Sequence, residues 1–176
     1  MLLGSISGVR ATGRFDAYAA ALAPAHREIL VSLVAGTWVP LDVAWAHYEA
    51  CDTLNYTAEQ GLANGRSTFD NTSVTLLGTI LRMGKEAGVS PWNVLPHLQR
   101  FWDRAYDGGG LRVVKTGPKE ARVDVAQIRF AESRYYRNAL RGVLTGILEL
   151  FCQKAYVTER PGSRAPGTVV MRVQWA

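Results

Sequence analysis

The feature that most constrains this chain is a change of period near residue 110. Before it, apolar residues recur at helical spacing; after it, "LRVVKTGPKEARVDVAQIRF" alternates and is rich in Val and Ile. Gly117 and Pro118 sit between its two runs as turn residues, so this stretch predicts a β-hairpin. Val123, Val125 and Ile128 mark a buried face, with a slip of period near Ala126 that suits a bulge. A long helix follows from about Ser133 to Gln153. "AYVTER" and "GTVVMRVQW", separated by "PGSRAP", then read as a second strand pair.

The expected fold is therefore α+β within a single domain, 1–176. An N-terminal helical half (1–109) precedes a sheet half (110–176), a β-β-α-β-β four-stranded antiparallel sheet crossed by one long helix. In the helical half, "RFDAYAAALAP" predicts a short helix ended by Pro24, and Pro24 opens the next one at a first-turn position. Leu41, Ala44, Trp45, Tyr48 and Cys51 form an apolar stripe on a third helix. "TAEQGLANGRSTFDN" is a weaker helix with a Gly-rich exit. "TSVTLLGTILRMGKEAG" is a further helix, with Thr72 or Ser73 as cap and Gly88 as stop. Ser90 caps the segment ending in "YDGGG", and Pro96 kinks it.

Gly142 and Gly146 stand four apart in the long helix, although glycine disfavours a helix interior by up to about 1 kcal/mol. Their spacing predicts a close approach of backbone, which the order of elements directs onto the sheet. Arg141, Glu149 and Lys154 exclude a membrane-embedded glycine seam.

At 176 residues, with 48% hydrophobic and 20% charged residues, the chain is long enough for one core and is not disordered. Residues 1–80 carry four Arg against seven acids, net −3, while residues 81–176 carry sixteen Lys/Arg against eight acids, net +8. The basic residues are scattered singly, without nucleic-acid-binding signatures, so nucleic acid is not the expected partner. No apolar run reaches membrane-spanning length, and "MLLGSISGVR" lacks the basic start of a signal peptide. A cytoplasmic protein with two free thiols, Cys51 and Cys152, is expected.

Catalytic spacing is absent: there is no G-x-S-x-G, P-loop, H-E-x-x-H or C-x-x-C. His26 and His47 read as polar residues on helix surfaces. Cys51, four residues after His47, reads as a buried inert thiol. The glycines of "YDGGG" precede a strand, not the helix a phosphate cradle needs. The expectation is a non-enzymatic protein without metal or cofactor.

Four stretches, "GSISG", "GTWVPLDVAW", "LRGVLTGILELF" and "MRVQW", make the chain resemble the myxobacterial domain of unknown function numbered 2378. The order of the tail is also similar to haem-NO-binding and 4-vinyl-reductase type domains. That second resemblance implies a sensing or ligand-binding module. It implies an axial histidine on the last helix before the sheet, where "PHLQRFW" offers His97. It also implies a Tyr-x-Ser-x-Arg motif at the start of the sheet-crossing helix to hold the haem propionates. That region here reads "ESRYYRNALRG", without the motif, although Arg134, Arg137 and Arg141 lie nearby.

The leading expectation is a protein-interaction adaptor in a signalling or regulatory pathway. The alternative is a small-molecule sensor with a pocket between helical half and sheet, for which His97, Trp102, Tyr136 and Arg137 are the candidates. The last strand, with Val173 and Trp175 on its apolar face, is expected to lie at a sheet edge; a homodimer is expected, with Trp175 either anchoring it or packing under the crossing helix.

Overall fold

The computed structural model describes residues 1–72, 90–160 and 165–176. The helix expected between Thr72 and Gly88 lies outside the described residues apart from its first position. The helical half consists of α1 (Leu2–Ala11), α2 (Phe15–Ala21), α3 (Pro24–Val31), α4 (Leu41–Thr53) and α5 (Ala58–Thr72). A short α6 (Pro91–Val94), a 3-10 turn (Leu95–His97) and α7 (Leu98–Ala105) lead to the sheet, so the chain breaks its helix at Pro96 as expected. The sheet half is β1 (Gly110–Gly117), β2 (Glu120–Ala126), a 3-10 turn (Arg129–Glu132), α8 (Arg134–Leu148), β3 (Ala155–Glu159) and β4 (Val169–Trp175).

The class and the β-β-α-β-β order agree with the sequence reading, but the sheet order does not follow the simplest arrangement. All neighbours are antiparallel and the order is β1-β2-β4-β3, which puts β4 in the interior. Val173 and Trp175 point inward and are 0% and 8% exposed. The Trp175 ring meets Trp92 edge-on at 5.0 Å. The expectation of an edge strand presenting Val173 and Trp175 to a second copy is corrected: β3 returns alongside β4 and closes that edge. The slip near Ala126 marks the end of β2, with Gln127 in the left-handed region at φ 60, and the ladder irregularity falls between Lys115 and Gly117.

The α8 glycines do approach a backbone closely, but it belongs to α5, not to the sheet. A Cβ on Gly142 would fall inside the carbonyl of Leu62, and one on Gly146 would lie 2.6 Å from the Phe69 ring. α5 answers with its own pair. A Cβ on Gly65 would collide with the carbonyl of Ala139, and one on Gly61 would lie 2.7 Å from Asn138 Cβ. The other side of α5 receives α1, whose Gly4 and Gly8 sit against Thr68 and Asn64. Helix α1, with two glycines in ten residues, carries no strong helical signal. It forms because close packing on α5 buries Ile6 and Val9, and tertiary contact outweighs propensity.

Helix α8 starts where Ser133 caps it, its Oγ accepting from the Tyr136 N–H at 3.1 Å. It ends at Leu148, five residues earlier than expected. Below it, β2, β3 and β4 contribute Ala121, Val123, Val125, Ala155, Val157, Val169 and Met171 to the core.

Candidate functional site

Three features lie at the junction of the two halves: a buried polar relay, a chain of aromatic rings, and a cleft.

The relay centres on His47, which is fully buried on α4 rather than on the helix surface as the sequence suggests. Its Nδ1 is 2.9 Å from the Tyr18 hydroxyl and its Nε2 is 2.9 Å from Ser5 Oγ. Ser5 Oγ is in turn 2.9 Å from the Tyr135 hydroxyl. The relay thus ties α2, α4, α1 and α8 together. Burial, with a smaller contribution from the positive Met1 amino group, pushes His47 down to about 3, so the ring is neutral at neutral pH. Cys51 Sγ lies 3.8 Å from Nε2, and burial raises its thiol far above its ordinary range, which leaves it inert as expected. No spacing rule reveals the relay's partners, because Ser5, Tyr18 and Tyr135 lie far from His47 along the chain.

The rings run from α7 to α4. Trp102 meets Tyr106 at 4.4 Å, Tyr106 meets Phe130 at 5.9 Å, and Phe130 meets Tyr136 at 5.8 Å and Tyr48 at 4.9 Å. Burial raises the phenols of Tyr48, Tyr106 and Tyr136. Trp102 Nε1 donates to the Gly108 carbonyl at 3.0 Å. Two of the candidates, Trp102 and Tyr136, thus meet in one filled cluster.

The cleft opens beside that cluster. It has a volume of about 260 Å³ and lies between the start of α4 and the loops 107–109 and 127–130. Trp45, Ile128 and Phe130 give it an apolar wall, and Asp42, Asp107 and Arg129 bring charge to it. The Arg129 guanidinium stacks on the Trp45 ring at 4.4 Å. Trp45 Nε1 is buried and has no acceptor among the described residues. A wider groove of about 860 Å³ runs over the outer sheet face past Arg112, Arg122 and Asp124. Among the described residues no group of three or more His, Cys, Asp or Glu could hold a metal, and no helix is long and apolar enough to cross a membrane.

No family model matches the chain, so the resemblance to domain 2378 gains no support, and no curated protein matches it in sequence. Solved structures do match. The Fe(II) unliganded H-NOX protein from K. algicida superposes with a TM-score of 0.71 at 10% identity, covering 99% of this chain and 94% of that one. A single-substitution variant of T. tengcongensis H-NOX gives 0.65 at 12% identity, covering 99% and 94%. A structure that probes haem distortion in the H-NOX family gives 0.66 at 13% identity, covering 99% and 93%. The chain has the H-NOX fold.

H-NOX (haem-NO-binding) neighbours raise the question of whether this chain's residues fit haem, and they do not. The chain has three histidines. His97, the axial candidate, is exposed at the start of α7. Both ring nitrogens of His47 are engaged by Tyr18 and Ser5. His26 lies on α3, which packs on α4. At the spacing of the propionate motif around Ser133, Ala131 and Tyr135 stand where Tyr and Arg would be needed. Ser133 Oγ is used as the helix cap, and the Tyr135 hydroxyl bonds Ser5. Arg137 is held by Glu159 at 3.2 Å and by the carbonyls of Ala131 and Glu132 at 3.0 and 2.9 Å. It pins the start of α8 and is not turned to a ligand. Arg141 donates to the Val157 carbonyl at 3.1 Å. The rings of Trp102, Tyr106, Phe130 and Tyr136 fill the space between α7 and the start of α8.

Proposed function

We propose that this chain is a non-enzymatic sensor module that binds a small organic molecule, not haem, in the cleft beside Trp45. The observation that carries the reading is a concave, partly apolar cleft lined by charges of both signs, between the helical half and the sheet half of an H-NOX fold. The fold likeness supports sensing over the adaptor expectation, since the neighbours' names describe haem-NO-binding proteins. In this reading α4 carries the signal. Its first turn lines the cleft, and its middle holds His47, so occupancy of the cleft bears on the relay that joins α1, α2 and α8.

The test is a fragment screen on the full chain, followed by the Trp45 indole N–H signal in ¹H–¹⁵N spectra. Fragments that shift Trp45 and leave Trp175 unmoved are expected; a screen in which nothing moves Trp45 would sink the reading. Hemin added in excess should leave no Soret band after gel filtration. A stoichiometric band would overturn the haem-free part.

A further inference from the structure

The geometry points to a ligand class for the cleft: a free α-amino acid with an apolar side chain. This rests on the sensing reading and deepens it. The charges at the cleft have two signs. Asp42 and Asp107 are acceptors without donors of their own and suit an ammonium group. Arg129 makes no ion pair with a described acid, and its stacking on Trp45 holds the planar fork in place while leaving its N–H groups for a carboxylate. A carboxylate suits the guanidinium and an ammonium suits the acids, so one zwitterion answers both signs. A purely anionic ligand would face two carboxylates, and a purely cationic one would face Arg129.

Size and wall chemistry narrow the class further. A cleft of about 260 Å³ suits a molecule of amino-acid size. Ile128 and Phe130, which also line the cleft, are 5% and 1% exposed, so a polar side chain set against them would lose its water without a partner. Gly108 and Gly109, with φ values of 106° and 66°, also line the cleft, and the Gly108 carbonyl accepts from Trp102 Nε1 at 3.0 Å.

The experiment titrates the full chain with L-leucine, L-valine and L-phenylalanine and follows the Trp45 indole N–H. At least one should give a saturable shift. N-acetyl-L-leucine, which lacks the ammonium, and L-leucinamide, which lacks the carboxylate, should each bind at least about tenfold more weakly than L-leucine, the loss expected when a charged hydrogen-bonding partner is removed. Arg129→Gln, at an exposed position, should abolish binding, read by calorimetry. Analogues that bind as well as the parent, or an Arg129→Gln variant with unchanged affinity, would overturn the assignment. Fragments that move Trp45 while no amino acid does would overturn the ligand class and leave the sensing reading intact. Silence from both overturns both.

Discussion

The two halves of this molecule are held together by opposite means. In the sheet half, alternation does the work. Ala121, Val123 and Val125 face in while Arg122 and Asp124 face out, and the neighbouring strand repeats the rule with Met171 and Val173 against Arg172. In the helical half, backbones touch. α5 lies between α1 and α8, the helix of the sheet half that packs on it, and the contacts are made by glycines four apart: Gly4 and Gly8, Gly61 and Gly65, Gly142 and Gly146. Its core also contains hydrogen-bonded polar groups, with His47 and Ser5 at 0% and 5% exposure. A pattern tolerates exchange of one apolar residue for another, whereas a backbone contact tolerates no side chain at all.

The largest expected effect tests that contrast. Gly65→Ala places a methyl group inside the Ala139 carbonyl, where only a shift of α5 against α8 can relieve it. The cost should be about 3 kcal/mol or more, the upper end of overpacking. Gly36→Ala is the comparison: Gly36 has φ 83° and nothing within 4 Å of a Cβ, so its cost is backbone strain alone, about 1 kcal/mol. Gly146→Ala should fall between the two, because the Phe69 ring can turn aside where a carbonyl cannot. Urea midpoints give the order, and a Gly65→Ala variant no less stable than Gly36→Ala would remove the glycine seam as an explanation.

These contacts show why one half was legible in sequence and the other only in part. Strand alternation is local, so β1, β2, β3 and β4 stood out, as did Ser133 and Pro96 at their boundaries. The order of strands is not local: nothing in the run that holds Trp175 shows that β3 pairs beside it and closes its edge. The spacing of Gly142 and Gly146 announced a close approach without naming its partner. Gly61 and Gly65 share that spacing, but so do Gly4 and Gly8, and spacing alone does not choose between α5 and α1. At the candidate site, Trp102 and Tyr136 were found because aromatic residues gather at junctions, but they plug the junction. Trp45 sat on the expected apolar stripe of α4, yet the buried face is turned so that Val43 and His47 go in and Leu41 is 51% exposed. The orphaned indole N–H of Trp45 and the acids and arginine around it come from segments some 60 to 90 residues apart, beyond any spacing rule.

A second prediction separates the halves by pH. The unfolded chain gains a proton on His47 near pH 6.5, while the folded chain, with the ring buried, resists it until about pH 3. Between these values the unfolded state binds more protons, so His47 makes stability fall as pH falls, by about 1.4 kcal/mol per pH unit. Above pH 6.5 the ring is neutral in both states and the contribution is flat. His47→Gln removes the titration. It should cost about 1–3 kcal/mol at pH 7, because Tyr18 and Ser5 lose well-placed partners, and its stability should depend less on pH between 6 and 4 than that of the parent. Parallel pH profiles for the two proteins would mean that the ring is not sealed from water.

The smallest effect is expected on the outer face of the sheet, from a titrating group with several partners. Glu120 receives Arg172 Nη2 at 2.6 Å, Gln174 Nε2 at 2.9 Å and the Thr116 hydroxyl at 3.1 Å. The Arg172 hydrogen bond is the main cause that holds its carboxyl below the ordinary range. A depressed carboxylate stabilises the fold above its unfolded pKa, and that stabilisation is lost as pH falls through the folded value, the same acid direction as His47. The magnitudes differ because the surroundings differ. Both partners of this pair meet water, which screens the attraction and solvates each charge once the other is removed. Arg172→Gln should therefore raise the Glu120 titration, measured by carboxyl NMR, toward that of an ordinary glutamate. It should also leave the urea midpoint within error of the parent at pH 7. A clear drop in that midpoint would mean that the outer face contributes to the fold as the glycine seam does, and the contrast between a patterned half and a contact-built half would fail on its patterned side.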